Sequence, residues 1–308
     1  MRRIGIPRAL LHYWFAPLWE AFWAALGEKP VVSPPTNKAL LELGVQAAVD
    51  DVCLPVKLFL GHAAYLSGQC DLLLVPHLVS LEEQAFTCPK FMGLPDLVRQ
   101  ALPGVKTVVA TIDVRGGAPW APAFGEAAAA LGYRGFRVVQ AWRAAREAQN
   151  AYAESLRTGA ACGLRNNAPD GPLLAVLGHP YCLYDRFLSM DLLGRLSGAG
   201  CRVVTPEMVP RQAIEDGLSR LSKSLFWTFG RRQLGAALHL LGGGVCAGAV
   251  HLAAFACGPE ALVGELVQKA AADARVPLLR LHLDEHTGEA GFLTRLEAFL
   301  DMLGRWRR

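Results

Sequence analysis

No two of the eight cysteines in this 308-residue chain stand in a C-x-x-C pair. The close thiol pairs usual in an all-protein structural zinc or a rubredoxin-like iron are therefore missing. No G-x-x-x-x-G-K-[ST] loop occurs either, so the chain carries no Walker-type cradle for ATP. With a net charge of +4 and 19% charged residues the chain is only mildly basic, and no Lys/Arg run interleaved with aromatics follows a nucleic-acid backbone. Nucleic acid is not an expected partner. The N-terminus M-R-R-I-G-I-P lacks the long apolar segment and small-residue cleavage site of an export signal, which predicts a cytoplasmic protein with reduced thiols.

One absence points the other way. From Leu234 to Cys257 there is no Lys, Arg, Asp or Glu, a stretch long enough to span a bilayer. His239 and His251 interrupt it, and Gly242-Gly243-Gly244 splits it into a helix end and a strand, so no membrane span is expected.

What is present is length and alternation. A chain of 308 residues suggests roughly two domains of about 150 residues, each large enough to bury a core. Strand-like runs near Ile4–Ile6, Val31–Ser33, Leu72–Pro76 and Thr107–Ile112 alternate with helical patterns over Phe15–Leu26, Lys38–Ala48, Leu54–Leu66 and Leu94–Ala101. Asn37 is suited to an N-cap, and Pro55 falls where a first-turn proline is tolerated. The second half repeats the pattern, with strands near Leu173–Leu177, Arg202–Thr205, Ala249–Phe255 and Leu278–Leu283. A last amphipathic helix over Phe292–Leu303 leads to Arg305, Arg307 and Arg308, charges suited to a helix C-terminus. This is α/β architecture with mostly parallel sheets, arranged as an N-terminal α/β domain over 1–120, a helical connection and linker over 121–171, and a C-terminal α/β domain over 172–308.

Three cysteines share a context that the other five lack. Cys53 in D-V-C-L-P-V-K, Cys88 in T-C-P-K-F and Cys257 in F-A-C-G-P-E each have proline within two residues downstream. Such a proline turns the chain just past the sulfur and keeps the thiol out of a regular element. Cys70, Cys162, Cys201 and Cys246 read as small hydrophobes or spectators. Two readings of the three remain open: one shared metal centre, or buried and turn-associated thiols without metal. A three-thiolate cubane iron–sulfur cluster would leave one iron free for water, substrate or another cluster. Cys257 follows one predicted strand, Asp284-Glu285-His286-Thr287-Gly288-Glu289 the next, and Gly178-His179-Pro180-Tyr181 a third. In open parallel sheets ligands bind at the carboxyl ends of strands, so these loops should face one crevice. Since Cys53 and Cys88 come from the first half, a shared centre would lie between the domains.

His286 with Glu285 and Glu289 suits either proton transfer or metal binding, against a loop held by Asx-type and capping bonds. His179 and Tyr181 are candidates for the crevice wall, with Asp185 to fix one of them. Lys57 and Lys90 follow ligand-candidate cysteines closely enough to influence their thiolates, or are surface lysines. Arg8 is a candidate for an anionic ligand.

The segments I-G-I-P-R-A-L-L, S-P-P-T-N-K, D-D-V-C-L-P-V-K-L-F-L-G-H, T-C-P-K-F-M-G-L-P-D, G-H-P-Y-C-L-Y-D, F-W-T-F-G-R, F-A-C-G-P-E and L-D-E-H-T-G-E-A-G resemble the 2-hydroxyacyl-CoA dehydratase superfamily, and more closely its acyl-CoA dehydratase activase-related branch. The resemblance implies two flavodoxin-like or Rossmann-like domains and a [4Fe-4S] cluster held by Cys53, Cys88 and Cys257, alone or as half of a double cubane. It implies a subunit that accepts ATP-gated, low-potential electrons from a separate activase with its own cluster and passes them to a CoA thioester or similar substrate. The alternatives are a double-cubane reductase of a small molecule and a non-catalytic electron-relay partner. A second dehydratase-like subunit, a homodimer and an acyl-CoA are further implied partners. The chain is shorter than catalytic dehydratase subunits, and Cys182 stands where G-H-P-Y-x-x-Y-D would have a polar residue, as an extra ligand or a harmless substitution.

Overall fold

Alternating apolar runs become parallel strands because the segments between them are long enough to form a helix and cross back over the sheet. The computed structural model describes residues 1–83, 85–115, 120–164 and 170–306, the side chains of 305 and 306 excepted. Arg305, Arg307 and Arg308, expected to close the last helix, therefore lie outside the described side chains.

By internal contacts the chain divides into two units, residues 1–154 with 225–228, and residues 155–224 with 229–308. In chain order the first comprises β1 (Arg3–Ile6), α1 (His12–Ala25), β2 (Lys29–Val32), α2 (Lys38–Ala47), α3 (Leu54–Ser67), β3 (Leu72–Ser80), α4 (Pro89–Met92), α5 (Leu94–Ala101), β4 (Thr107–Asp113), α6 (Ala121–Ala130) and most of α7 (Phe136–Arg157). The second comprises β5 (Leu173–Leu177), α8 (Pro180–Leu183), α9 (Leu192–Gly198), β6 (Arg202–Val204), α10 (Arg211–Leu218), α11 (Thr228–Gly242, its first residue in the other unit), β7 (Gly248–Ala254), α12 (Gly258–Asp273), β8 (Leu278–Leu283) and α13 (Glu289–Trp306).

Both sheets are four-stranded, and every pairing between their strands is parallel. Their orders, β2-β1-β3-β4 and β6-β5-β7-β8, are the same topology used twice. The α/β class and parallel sheets read from the sequence are what the chain forms. β5 and β7 are buried at every residue, as central strands of a sheet covered on both faces must be. The uncharged stretch after Leu234 is the end of α11 followed by β7, and no helix among the described residues is long and apolar enough to cross a membrane.

Local signals act as expected at most boundaries. Asn37 caps α2 by accepting from Leu40 N at 3.1 Å, and Pro55 occupies the first turn of α3. The expected Phe15–Leu26 helix begins a turn earlier, at His12, and carries Pro17 inside it. Proline has no N–H to give the carbonyl four residues back. That carbonyl, on Tyr13, accepts instead from Tyr152 Oη of α7 at 3.1 Å, and the neighbouring Trp14 carbonyl accepts from Gln149 Nε2 at 2.8 Å. Thus α7 satisfies the turn of α1 disturbed by the proline.

Candidate functional site

A crossover helix in a parallel sheet runs opposite to the strands, so its N-terminus lies at the sheet's carboxyl edge, where ligands bind. Cys53, Cys88 and Cys257 all occupy that position. Each is the N-cap residue of a helix, of α3, α4 and α12 respectively, in extended conformation and with proline at the first or second helical residue. Each carbonyl accepts the first helical bonds, from Lys57 N, Met92 N and Ala261 N. None of the three sulfurs caps its own helix. The proline signal in the sequence thus marks a helix start, where unpaired N–H groups make the surroundings electropositive.

In the first unit, Lys90 Nζ donates to the carbonyl of Asp51 at 2.8 Å. A residue just after Cys88 thereby ties its loop to the residues just before Cys53. Lys57 is buried at the start of α3. Arg8 gives its Nε to Ser33 O at 3.0 Å. Beside it, His62 is fully buried between two hydroxyls, Ser33 Oγ at 2.8 Å from Nδ1 and Thr36 Oγ1 at 3.0 Å from Nε2.

Burial, and then the charge of Arg8, bring His62 down from 6.5 to about 4. The unfolded chain therefore binds a proton that the folded chain refuses, and stability is full above about pH 6.5 and falls as the pH drops toward 4. From pH 7 to pH 4, wild type should lose about 3 kcal/mol more unfolding free energy than His62→Gln, measured in urea. Equal losses in the two proteins would show that His62 plays no part.

The second unit holds a buried polar centre at its topological switch point, between β5 and β7. His179 follows β5 as the N-cap of α8, and Cys257 follows β7 as the N-cap of α12. The His179 ring and Cys257 are near enough to interact, and that interaction favours the protonated ring. Its Nδ1 is 2.7 Å from Glu260 Oε2 and 3.4 Å from Gln233 Oε1. The other carboxylate oxygen, Glu260 Oε1, accepts from His251 Nε2 at 2.5 Å and from Gln233 Nε2 at 2.6 Å. Glu260 and His251 are 2% and 1% exposed, so water does not screen these contacts.

Burial alone would raise the Glu260 carboxyl, but the charge and hydrogen bond of His179, with those of His251, hold it well below the carboxylate range. For His179 burial works downward, and Glu260 together with the Cys257 contact carries it well above its ordinary value. The arrangement is an imidazolium–carboxylate pair in the core with a thiol on the imidazolium. Gly264 makes room for it, since a Cβ there would come within 2.9 Å of His251 Cε1. Ala256, directly before Cys257, is left-handed at φ 62°, a conformation costing a non-glycine residue about 1 kcal/mol. That strain turns the chain off β7 and places the cysteine over the strand end.

The other expected site residues lie elsewhere. His286 is in the loop after β8, where Asp284 Oδ1 accepts from His286 N at 2.9 Å and Thr287 Oγ1 at 2.7 Å. Glu289 opens α13 and pairs with Arg195 at 2.5 Å, and Glu285 lies in the same loop. Tyr181 meets the edge of His179 at 5.1 Å, while Asp185 Oδ1 accepts the backbone N–H groups of Phe187 and Leu188. Cys182 is buried inside α8. Burial raises the thiols of Cys70, Cys162 and Cys246, the last two to about 11, which suits spectators. Glu260, His251 and Gln233 were missed in the sequence. For Glu260 the signal was its place three residues after the N-cap cysteine, the spacing of a capping box. Among the described residues, no three of His, Cys, Asp and Glu are gathered so as to hold a metal ion.

Residues 3–209, two thirds of the chain, match the family described as CoA enzyme activase uncharacterised domain (DUF2229). Cys53, Cys88 and His179 fall inside the matched region, and His251, Cys257 and Glu260 beyond it. No curated protein matches the chain.

Proposed function

From the premise that the chain belongs to the CoA enzyme activase uncharacterised domain family, we propose that it is an iron–sulfur component of an ATP-dependent system acting on CoA thioesters, with Cys53, Cys88 and Cys257 as thiolate ligands of a [4Fe-4S] cluster. The family's description names the activase rather than the dehydratase. The electron-accepting role, the separate ATP-hydrolysing activase with its own cluster and the acyl-CoA are our reading.

The observation that carries it is the shared backbone setting of the three cysteines, each an N-cap residue followed by proline at the start of a helix. The donor set fits: thiolates are the usual ligands of iron–sulfur clusters, and helix N-termini favour their charge. When bound, such a cluster supplies one-electron chemistry at low potential. The chain's own part is to present the sulfurs, and at Cys257 to hold the thiol against His179, which Glu260 keeps in place.

The test is anaerobic reconstitution of the full chain with iron and sulfide, followed by metal and sulfide analysis and absorption spectroscopy. Wild type and Cys70→Ala should carry about four irons and four sulfides. Cys53→Ala, Cys88→Ala and Cys257→Ala should each lose most of that iron and the visible absorption. Retention of the cluster by all three variants, or none in wild type, overturns the assignment. Mixing the loaded protein with an ATP-hydrolysing activase and an acyl-CoA then separates an electron-accepting enzyme from a relay, since a relay takes up electrons without turnover.

A further inference from the structure

The motif F-W-T-F-G-R, residues 226–231, carries no cysteine, histidine or acid, yet its first three residues belong to the first unit, where Cys53 and Cys88 lie. We infer that residues 225–228 are a positioning element for Cys88, closing the loop that carries this sulfur and setting how firmly it holds a metal core. The inference rests on the proposed iron–sulfur role of Cys88.

The loop runs from the end of β3 at Ser80 to Cys88 at the start of α4. Much of it is tied to its own strand. Ser80 Oγ lies 2.6 Å from Glu82 O and 2.7 Å from Ala85 O, Thr87 N donates to Val79 O at 3.0 Å, and Thr87 Oγ1 donates to Leu78 O. Beyond the sulfur, Lys90 holds the Asp51 carbonyl.

Phe86, two residues before Cys88, finds its main-chain partners elsewhere. Its N–H donates to Phe226 O at 2.9 Å and its carbonyl accepts from Thr228 N at 3.0 Å, which makes a parallel bridge opposite Trp227. The rings repeat the pairing, since Phe86 and Phe226 stack at 4.6 Å with 13° between their planes. Arg115, ion-paired with Asp113 of β4, lies over the Phe86 ring at 5.6 Å. Phe226 itself is 54% exposed, so its ring adds little to the core, and what it covers is the ring of Phe86.

A ligand on an unheld loop gives up its freedom when it binds, whereas a loop ordered beforehand has already lost it. Groups that orient a metal ligand without touching the metal change affinity about 10–100-fold when removed. Residues 225–228 meet the Cys88 loop in that way, through the backbone and ring of Phe86.

The test compares wild type, Phe226→Ala and Phe226→Tyr as full-length chains. In reduced apoprotein, pulsed alkylation with iodoacetamide followed by mass spectrometry should modify Cys88 about tenfold faster in Phe226→Ala, the equivalent of one lost aromatic pair. Cys70, at the opposite end of β3, should keep its rate, and the urea midpoint should stay at the wild-type value because the ring is exposed. After anaerobic reconstitution, Phe226→Ala should release iron to a chelator about tenfold faster. Phe226→Tyr restores a stacking ring and should return both rates to wild type. Wild-type rates in Phe226→Ala, a change in only one of the two reactions, or equal acceleration at Cys70 and Cys88 would each contradict the inference. A wild-type protein that takes up no iron overturns the cluster assignment instead, and the alkylation rates then decide alone whether the segment holds Cys88.

Discussion

Glu260→Ala destabilises the protein by about 3–5 kcal/mol, the cost of breaking a buried ion pair by removing one partner. The carboxylate is 2% exposed and serves His179, His251 and Gln233 at once. Alanine leaves two imidazoles in the core with no opposing charge, takes the acceptor from His251 Nε2 and Gln233 Nε2, and leaves His179 only the longer contact to Gln233 Oε1. Breaking a buried pair by removing one partner is far more damaging than losing a surface ion pair, which is worth about 0–1 kcal/mol. Glu260→Gln should recover about half, because it keeps the shape and one acceptor oxygen but not the charge. Urea unfolding followed by circular dichroism gives the comparison. A Glu260→Ala protein within about 1 kcal/mol of wild type would mean that the carboxylate does not anchor this centre.

Gly61→Ala costs about 3 kcal/mol, because α2 and α3 cross with their backbones in contact. A Cβ on Gly61 would lie 2.0 Å from Leu40 O, and one on Gly44 would lie 2.1 Å from Lys57 O. The obstacles are main-chain carbonyls, so no rotamer change relieves them and the helices must separate. Gly68→Ala, at the end of α3 with nothing within 4 Å of its added carbon, should stay within about 0.5 kcal/mol of wild type. Thermal or urea midpoints of the two variants suffice, and equal midpoints would refute the close crossing. Since α3 starts at Cys53, parting the helices also displaces that sulfur.

The readable part of the site was the part encoded locally. A proline within two residues of a cysteine acts on the backbone beside it, so the shared setting of Cys53, Cys88 and Cys257 could be found without the fold. The strand and helix alternation was equally local, while several ends moved: α1 starts at His12 rather than Phe15, because α7 supplies donors that tolerate Pro17, α13 starts at Glu289 rather than Phe292, and β3 runs on to Ser80. The Glu260 centre was hidden because its partners are scattered, with Gln233 27 residues away and His251 9 residues away on another element. Only the adjacency of β5 and β7 brings His179 to Cys257. In the sequence His251 was legible merely as an interruption of an uncharged run. The Asp284–Glu289 loop was conspicuous for its composition, whereas its polar atoms largely serve the turn itself and the start of α13.

The segment 225–228 belongs to the first unit although it follows half of the second in sequence. Phe86 N donates to Phe226 O at 2.9 Å, Thr228 N donates to Phe86 O at 3.0 Å, and the two phenyl rings stack at 4.6 Å. The polypeptide consequently passes between the units three times, after Glu154, after Ser224 and after Thr228. A fragment truncated at Glu154 would bare the Phe86 ring and lose the short strap that covers it, so dissecting the protein into halves requires a circular permutant or a grafted peptide rather than a single cut.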